Sequence, residues 1–63
     1  MADITLQQLI AYYLAIAQRD MDMRGINIPD GDTILAITNL AQANPNPRSS
    51  EALSEVIRLL ISS

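Results

Sequence analysis

Four aspartates in a short window are the residues whose type and spacing come closest to a recognisable chemistry: Asp20, Asp22, Asp30 and Asp32. Residues 20–25 read D-x-D-x-R-G, which can be compared with the start of a calcium loop, where alternate acidic side chains ligate the ion. Arg24 stands at the fifth ligand position, and Gly31 stands where the closing bidentate Glu belongs. We therefore expect no EF-hand, and no metal or cofactor.

Local roles account for most of these acids. Asp20 and Arg24 have the i, i+4 order that favours an ion pair on a helix, and Asp30 and Asp32 suit the start of the next helix. Asp20 and Arg24 also point along the apolar side of the first helix. Either that helix has passed the edge of the core, which we favour, or the pair sets register at an interface. Asp22 has no structural role, so Asp20, Asp22 and Arg24 are the polar surface candidates.

Composition excludes several classes of function. The chain has 63 residues, with four arginines, seven acids and a net charge of −3, and it contains no Cys, His or Lys. The usual zinc, haem and iron–sulfur ligand sets, disulfides, thiol nucleophiles, Schiff bases and the Walker A lysine are therefore excluded. Because such a short chain cannot build a deep pocket alone, we expect no enzymatic activity.

Three apolar segments with helical periodicity predict a single all-α, three-helix domain over residues 1–63. Turn clusters at 25–31 and 44–47 separate them, which predicts helix 1 at about 5–24, helix 2 at about 31–44 and helix 3 at about 47–61. Thr5 and Gln8 form a capping box, with Ile4 and Leu9 as its hydrophobic staple. Gly25 suits the left-handed residue after helix 1.

The later boundaries leave alternatives open. Asp30 or Asp32 can cap helix 2, which ends at residues 44–45 because the residue before a proline avoids the α region. Helix 3 starts at Pro47 with Asn46 as cap, or at Ser49 or Ser50.

The apolar side chains exceed what so small an interior holds. The chain carries 23 Ile, Leu, Val, Met and Tyr residues, and helices 1 and 3 have apolar arcs of about 200° where a little over 100° covers a core. We expect a second chain to cover the surplus, most simply in a homodimer. The expected interface residues are Leu6, Ile10, Tyr12, Tyr13, Met21, Leu53, Val56 and Leu60.

Blander explanations compete with this interface. A well-filled monomer with ordinary exposed leucines is one of them. Tyr13 can instead lie in the core with its hydroxyl at the rim, and Met21 and Met23 can fill gaps in the core.

The predicted function is a small, non-enzymatic protein–protein interaction module: an adaptor, assembly factor or inhibitor. We expect it to be cytoplasmic and not membrane-bound, because its longest apolar run, residues 9–17, is far shorter than the roughly 20 residues of a membrane span. The alternative is a DNA-binding regulator of helix-turn-helix type that reads with helix 3. Nucleic acid is disfavoured because Glu51 and Glu55 oppose Arg48 and Arg58 on that helix.

Overall fold

The computed structural model describes residues 5–62, which form three α-helices: α1 (Leu6–Arg24), α2 (Gly31–Ala43) and α3 (Ser49–Ser62). Within this range there is no β-strand. Each helix packs against the other two, and α1 packs most extensively against α3. The predicted all-α, three-helix architecture is confirmed.

Backbone groups at both ends of α1 are satisfied by local sequence. Thr5 Oγ1 accepts from the Gln8 backbone N–H at 3.1 Å, and Gln8 Oε1 accepts from the Thr5 N–H at 2.8 Å, as the capping box predicts. The staple residue Ile4 lies outside the described residues. At the other end Gly25 has φ 67°, and the Ile26 N–H donates to the Met21 carbonyl at 3.0 Å. This is a Schellman motif, in which Ile26 packs back onto the core.

Side chains also define where α2 and α3 begin. Asp30, in an extended conformation, caps α2 by accepting from the Thr33 N–H at 3.0 Å. Asn46 Oδ1 accepts from the Arg48 N–H at 2.9 Å, while the Asn46 carbonyl accepts from the Ser49 N–H at 3.1 Å. Asn46 thus caps a turn that leads into α3, although the regular helix begins at Ser49, one of the starts left open by the sequence.

The core is built from one row of side chains on each helix, spaced mainly i, i+4. The rows are Leu9, Tyr13, Ala17 and Met21 on α1; Thr33, Ile37 and Ala41 on α2; and Ser49, Ala52, Val56 and Leu60 on α3. Residues at i and i+4 lie one above the other on a helix, so each row forms a single ridge. The fully buried alanines Ala17 and Ala52 leave room for close approach of the helices.

Tyr13 ties α1 to the connection between α2 and α3. Its side chain is buried, and its hydroxyl accepts from Asn44 Nδ2 at 2.9 Å. Asn44 Oδ1 in turn accepts from the Asn46 N–H at 2.9 Å. The core location foreseen as the alternative for Tyr13 is the one observed.

Replacing the two glycines by alanine separates backbone strain from packing. A Cβ at either Gly25 or Gly31 meets no atom within 4 Å, but only Gly25 has a positive φ. Gly25→Ala should lower the free energy of unfolding by about 1–2 kcal/mol because an L-residue is strained there. Gly31→Ala should be neutral or stabilising by up to about 1 kcal/mol. Urea denaturation followed by circular dichroism measures both, and equal effects would contradict the assignment.

Ser49 offers a stabilising substitution. Its Oγ is buried and has no hydrogen-bond partner among residues 5–62, whereas the neighbouring Ser50 is exposed. An unmade hydrogen bond in the interior is costly, so Ser49→Ala should raise the free energy of unfolding by about 1 kcal/mol. Ser50→Ala is the matched control and should change it by less than about 0.5 kcal/mol. A loss of stability in Ser49→Ala, measured by the same denaturation, would show that the hydroxyl is satisfied.

Candidate functional site

A polar cluster closes the end of the bundle where α1 leads into α2. Arg24, the last residue of α1, donates from Nη2 to Asp20 Oδ2 at 2.9 Å and to Asp30 Oδ1 at 2.7 Å. Its Nη1 donates to Asp30 Oδ2 at 2.8 Å, so the Asp30 carboxylate is held by both terminal nitrogens of the guanidinium. The i, i+4 pair of Asp20 and Arg24 is as predicted, and the pairing with Asp30 extends it across the loop.

Thr33 completes this cluster from inside the fold. Its side chain is fully buried, and its Oγ1 accepts from Arg24 Nη2. The same oxygen lies 3.0 Å from Asp20 Oδ2 and 3.0 Å from Asp30 Oδ1 and can donate its single proton to either. We call Asp20, Arg24, Asp30 and Thr33 the Arg24 cluster. It joins the last turn of α1 to the first turn of α2 where the apolar core ends, which explains why Asp20 points along the core side of α1.

The cluster favours the charged forms of its members. Hydrogen bonds from Arg24, followed by the backbone N–H of Thr33, hold the pKa of Asp30 well below its usual range. The bond with Asp30 likewise raises the pKa of the Arg24 guanidinium. On α3, a separate pair with Arg58 lowers the pKa of Glu55 and raises that of Arg58.

The cluster is built to hold the backbone together. Residues 20–24 belong to α1 and so do not form a metal-binding loop. Within the described part of the chain, no group of three or more His, Cys, Asp or Glu side chains is placed to hold a metal ion. Asp22 and Asp32 lie outside the cluster and are exposed, although Asp32 Oδ2 is 3.8 Å from Arg24 Nη1.

Half of the residues expected at an apolar interface lie in the core instead. Tyr13, Met21, Val56 and Leu60 are buried under the chain's own helices because they belong to the i, i+4 rows. Of the other four, three are half-buried and packed against the core: Leu6, Ile10 and Leu53. Only Tyr12 is well exposed, at 57%. At about 100° per residue, Ile10 lies about 160° from Tyr12 around α1, so these residues do not form one patch.

The apolar surface that does reach solvent is distributed differently. The exposed large apolar residues are Tyr12, Met23, Ile28, Leu35, Leu40 and Ile61. On α1 the spacing i, i+4, i+7, i+11 places Tyr12, Ile16, Arg19 and Met23 on one strip, which we call the outer edge of α1. Sequence reasoning located Tyr12 near a border of the apolar arc, and the same wheel could have found the whole strip.

An open groove of about 460 Å³ adjoins the outer edge of α1. It is lined by Gln8, Leu9, Tyr12 and Asn44. Since Asn44 is bound to the hydroxyl of Tyr13, the groove lies where the start of α1 meets the end of α2. The ring of Tyr12 packs beside that of Tyr13 with centroids 5.5 Å apart.

Comparison of the chain with protein-family models, curated proteins and solved structures finds no match. Among the helices of residues 5–62, none combines the length and the hydropathy that a membrane span requires. The argument for function therefore rests on the surfaces just described.

Acid should weaken the fold through Asp30. As pH falls below about 4, Asp30 in the unfolded chain takes up a proton while the folded one, with its lowered pKa, stays charged, so stability present above that pH is lost. Asp30→Asn keeps a capping side chain but cannot titrate, so its stability should fall less between pH 6 and pH 3. Urea midpoints at the two pH values measure this. Arg24→Gln should flatten the dependence similarly, and parallel curves for all three proteins would contradict the assignment.

Proposed function

We propose that this chain is a small, non-enzymatic protein–protein interaction module that self-associates through the outer edge of α1. The observation that carries the proposal is the exposure of Tyr12 at 57% and Met23 at 76% on either side of the half-buried Ile16. Apolar surface arranged on one face of a helix commonly marks an association site. Tyr12 also extends this surface into the groove beside it.

A second copy suits this strip because the spacing of its four residues reads the same from either end. In an antiparallel pair of α1 helices, Tyr12 of one copy lies opposite Met23 of the other, and Ile16 lies opposite Arg19. A methionine sulfur contacts an aromatic ring favourably, and an arginine covers apolar surface with its aliphatic stem. Two-fold symmetry, the commonest in oligomers, needs only such a self-complementary patch.

The competing DNA-binding function has less support on the outer face of α3. Arg58 is engaged by Glu55, and the neighbouring Glu51 is exposed. Arg48, just before the helix, is then the remaining cation there, whereas DNA-binding modules commonly make several phosphate contacts. Titration of a DNA duplex at low salt tests this alternative, because phosphate-driven binding is strongest there.

Substitution of Tyr12 tests self-association. The mass of the wild-type protein in sedimentation equilibrium should rise from 6.9 kDa toward twice that value as concentration increases. Tyr12→Ser should raise the dissociation constant about tenfold, as truncation of an aromatic interface residue commonly does. Leu35→Ser is the matched control, because Leu35 is also 57% exposed but lies opposite the core on α2.

The wild type and the Leu35→Ser variant should associate alike. A wild-type protein that remains at 6.9 kDa at millimolar concentration would overturn the proposal. So would equal weakening of association by both variants. Far-UV circular dichroism verifies that each variant remains helical.

A further inference from the structure

The negative charge of the protein is concentrated at one end of the bundle. Residues 20–32 contain four of the seven acids and one of the four arginines, a net charge of −3 that equals the net charge of the whole chain. The other three acids and three arginines cancel. Arg19 precedes the end of α1 by more than one helical turn. This end is therefore a localised source of negative potential.

Arg24 does not neutralise the outermost acids, because it is committed to the Arg24 cluster. Two of its nitrogens are bound by Asp20 and Asp30 at 2.7–2.9 Å. Asp32 lies farther away, at 3.8 Å, and its side chain is 86% exposed. Asp22, on the last turn of α1, is exposed as well.

The same end presents the two most exposed large apolar side chains of the described chain. Met23 is 76% exposed and Ile28 is 77% exposed. They flank the loop that joins α1 to α2, and Asp22 and Asp32 stand just before and just after this stretch. We call these four residues the acidic end.

We infer that the acidic end docks a basic amphipathic segment of another protein, whose apolar side chains cover Met23 and Ile28 while its Lys or Arg side chains pair with Asp22 and Asp32. Complementary charge selects such a partner, and like charge disfavours a second copy of this chain at the same surface. The inference rests on the proposed function only in treating the domain as an interaction module. It does not require self-association.

Titration with a designed peptide tests the inference. The probe is an 18-residue amphipathic peptide with leucines on one helical face and lysines and arginines on the other, added to the ¹⁵N-labelled full chain at low salt. Amide shifts should concentrate in residues 22–32, and the affinity should fall as salt screens the charges. A peptide with glutamates in place of the basic residues should cause no shifts.

Two matched pairs of variants separate a specific surface from general attraction. Asp22→Asn with Asp32→Asn should raise the dissociation constant about tenfold, whereas Glu51→Gln with Glu55→Gln, which changes the net charge equally, should leave it within about twofold. Ile28→Ser should weaken binding, whereas Ile61→Ser, at a similarly exposed isoleucine of 70%, should not.

Several outcomes would overturn the inference. They are absence of binding at low salt, equal losses in both double variants, shifts confined to other residues, and the same shifts produced by raising the concentration of the chain alone, which would make the occupant a second copy. Repeating the titration on the Tyr12→Ser variant separates the two proposals. Peptide binding retained by that variant supports the acidic end whether or not the chain self-associates.

Discussion

The narrow interior shared by the three helices controls the rest of this structure. It accepts a single i, i+4 row from each helix, and side chains one position to either side are at best half-buried. Ile10 and Leu14 on α1 and Leu53 and Ile57 on α3 are of this kind. A small domain has a high ratio of surface to volume, so it cannot enclose apolar arcs of about 200°. The surplus that composition reveals therefore becomes edge and surface.

The end of the α2 row explains the polar chemistry of the molecule. Thr33 occupies the row at the position where the core meets the loop, and its buried hydroxyl requires polar partners. Arg24, Asp20 and Asp30 supply them, and in doing so they fix α1 relative to α2. The most elaborate hydrogen-bonded arrangement in residues 5–62 is thus a consequence of closing the core. It leaves Asp22 and Asp32 free of that task.

The surfaces proposed for binding differ in physical character. The outer edge of α1 is an apolar strip beside a groove, interrupted by the flexible stem of Arg19. The acidic end combines apolar contacts with uncompensated charge, which adds selectivity for the sign of a partner's charge. Met23 belongs to both surfaces, so one copy of the chain could not use it for two partners at once. A module with these surfaces would couple self-association to capture of a basic segment.

The sequence by itself determined the local structure. The capping box at Thr5, the left-handed Gly25 and the cap at Asp30 act through hydrogen bonds between residues at most five apart, so their spacing is visible in the chain. Tertiary structure decided which apolar residues are interior: Tyr13 and Val56 lie in the rows, whereas Tyr12 and Leu35 do not. That choice depends on how the helices face one another, because every member of a wide apolar arc gains from burial and only packing geometry selects among them. The contacts of Arg24 with Thr33 and of Asn44 with Tyr13 are long-range for the same reason.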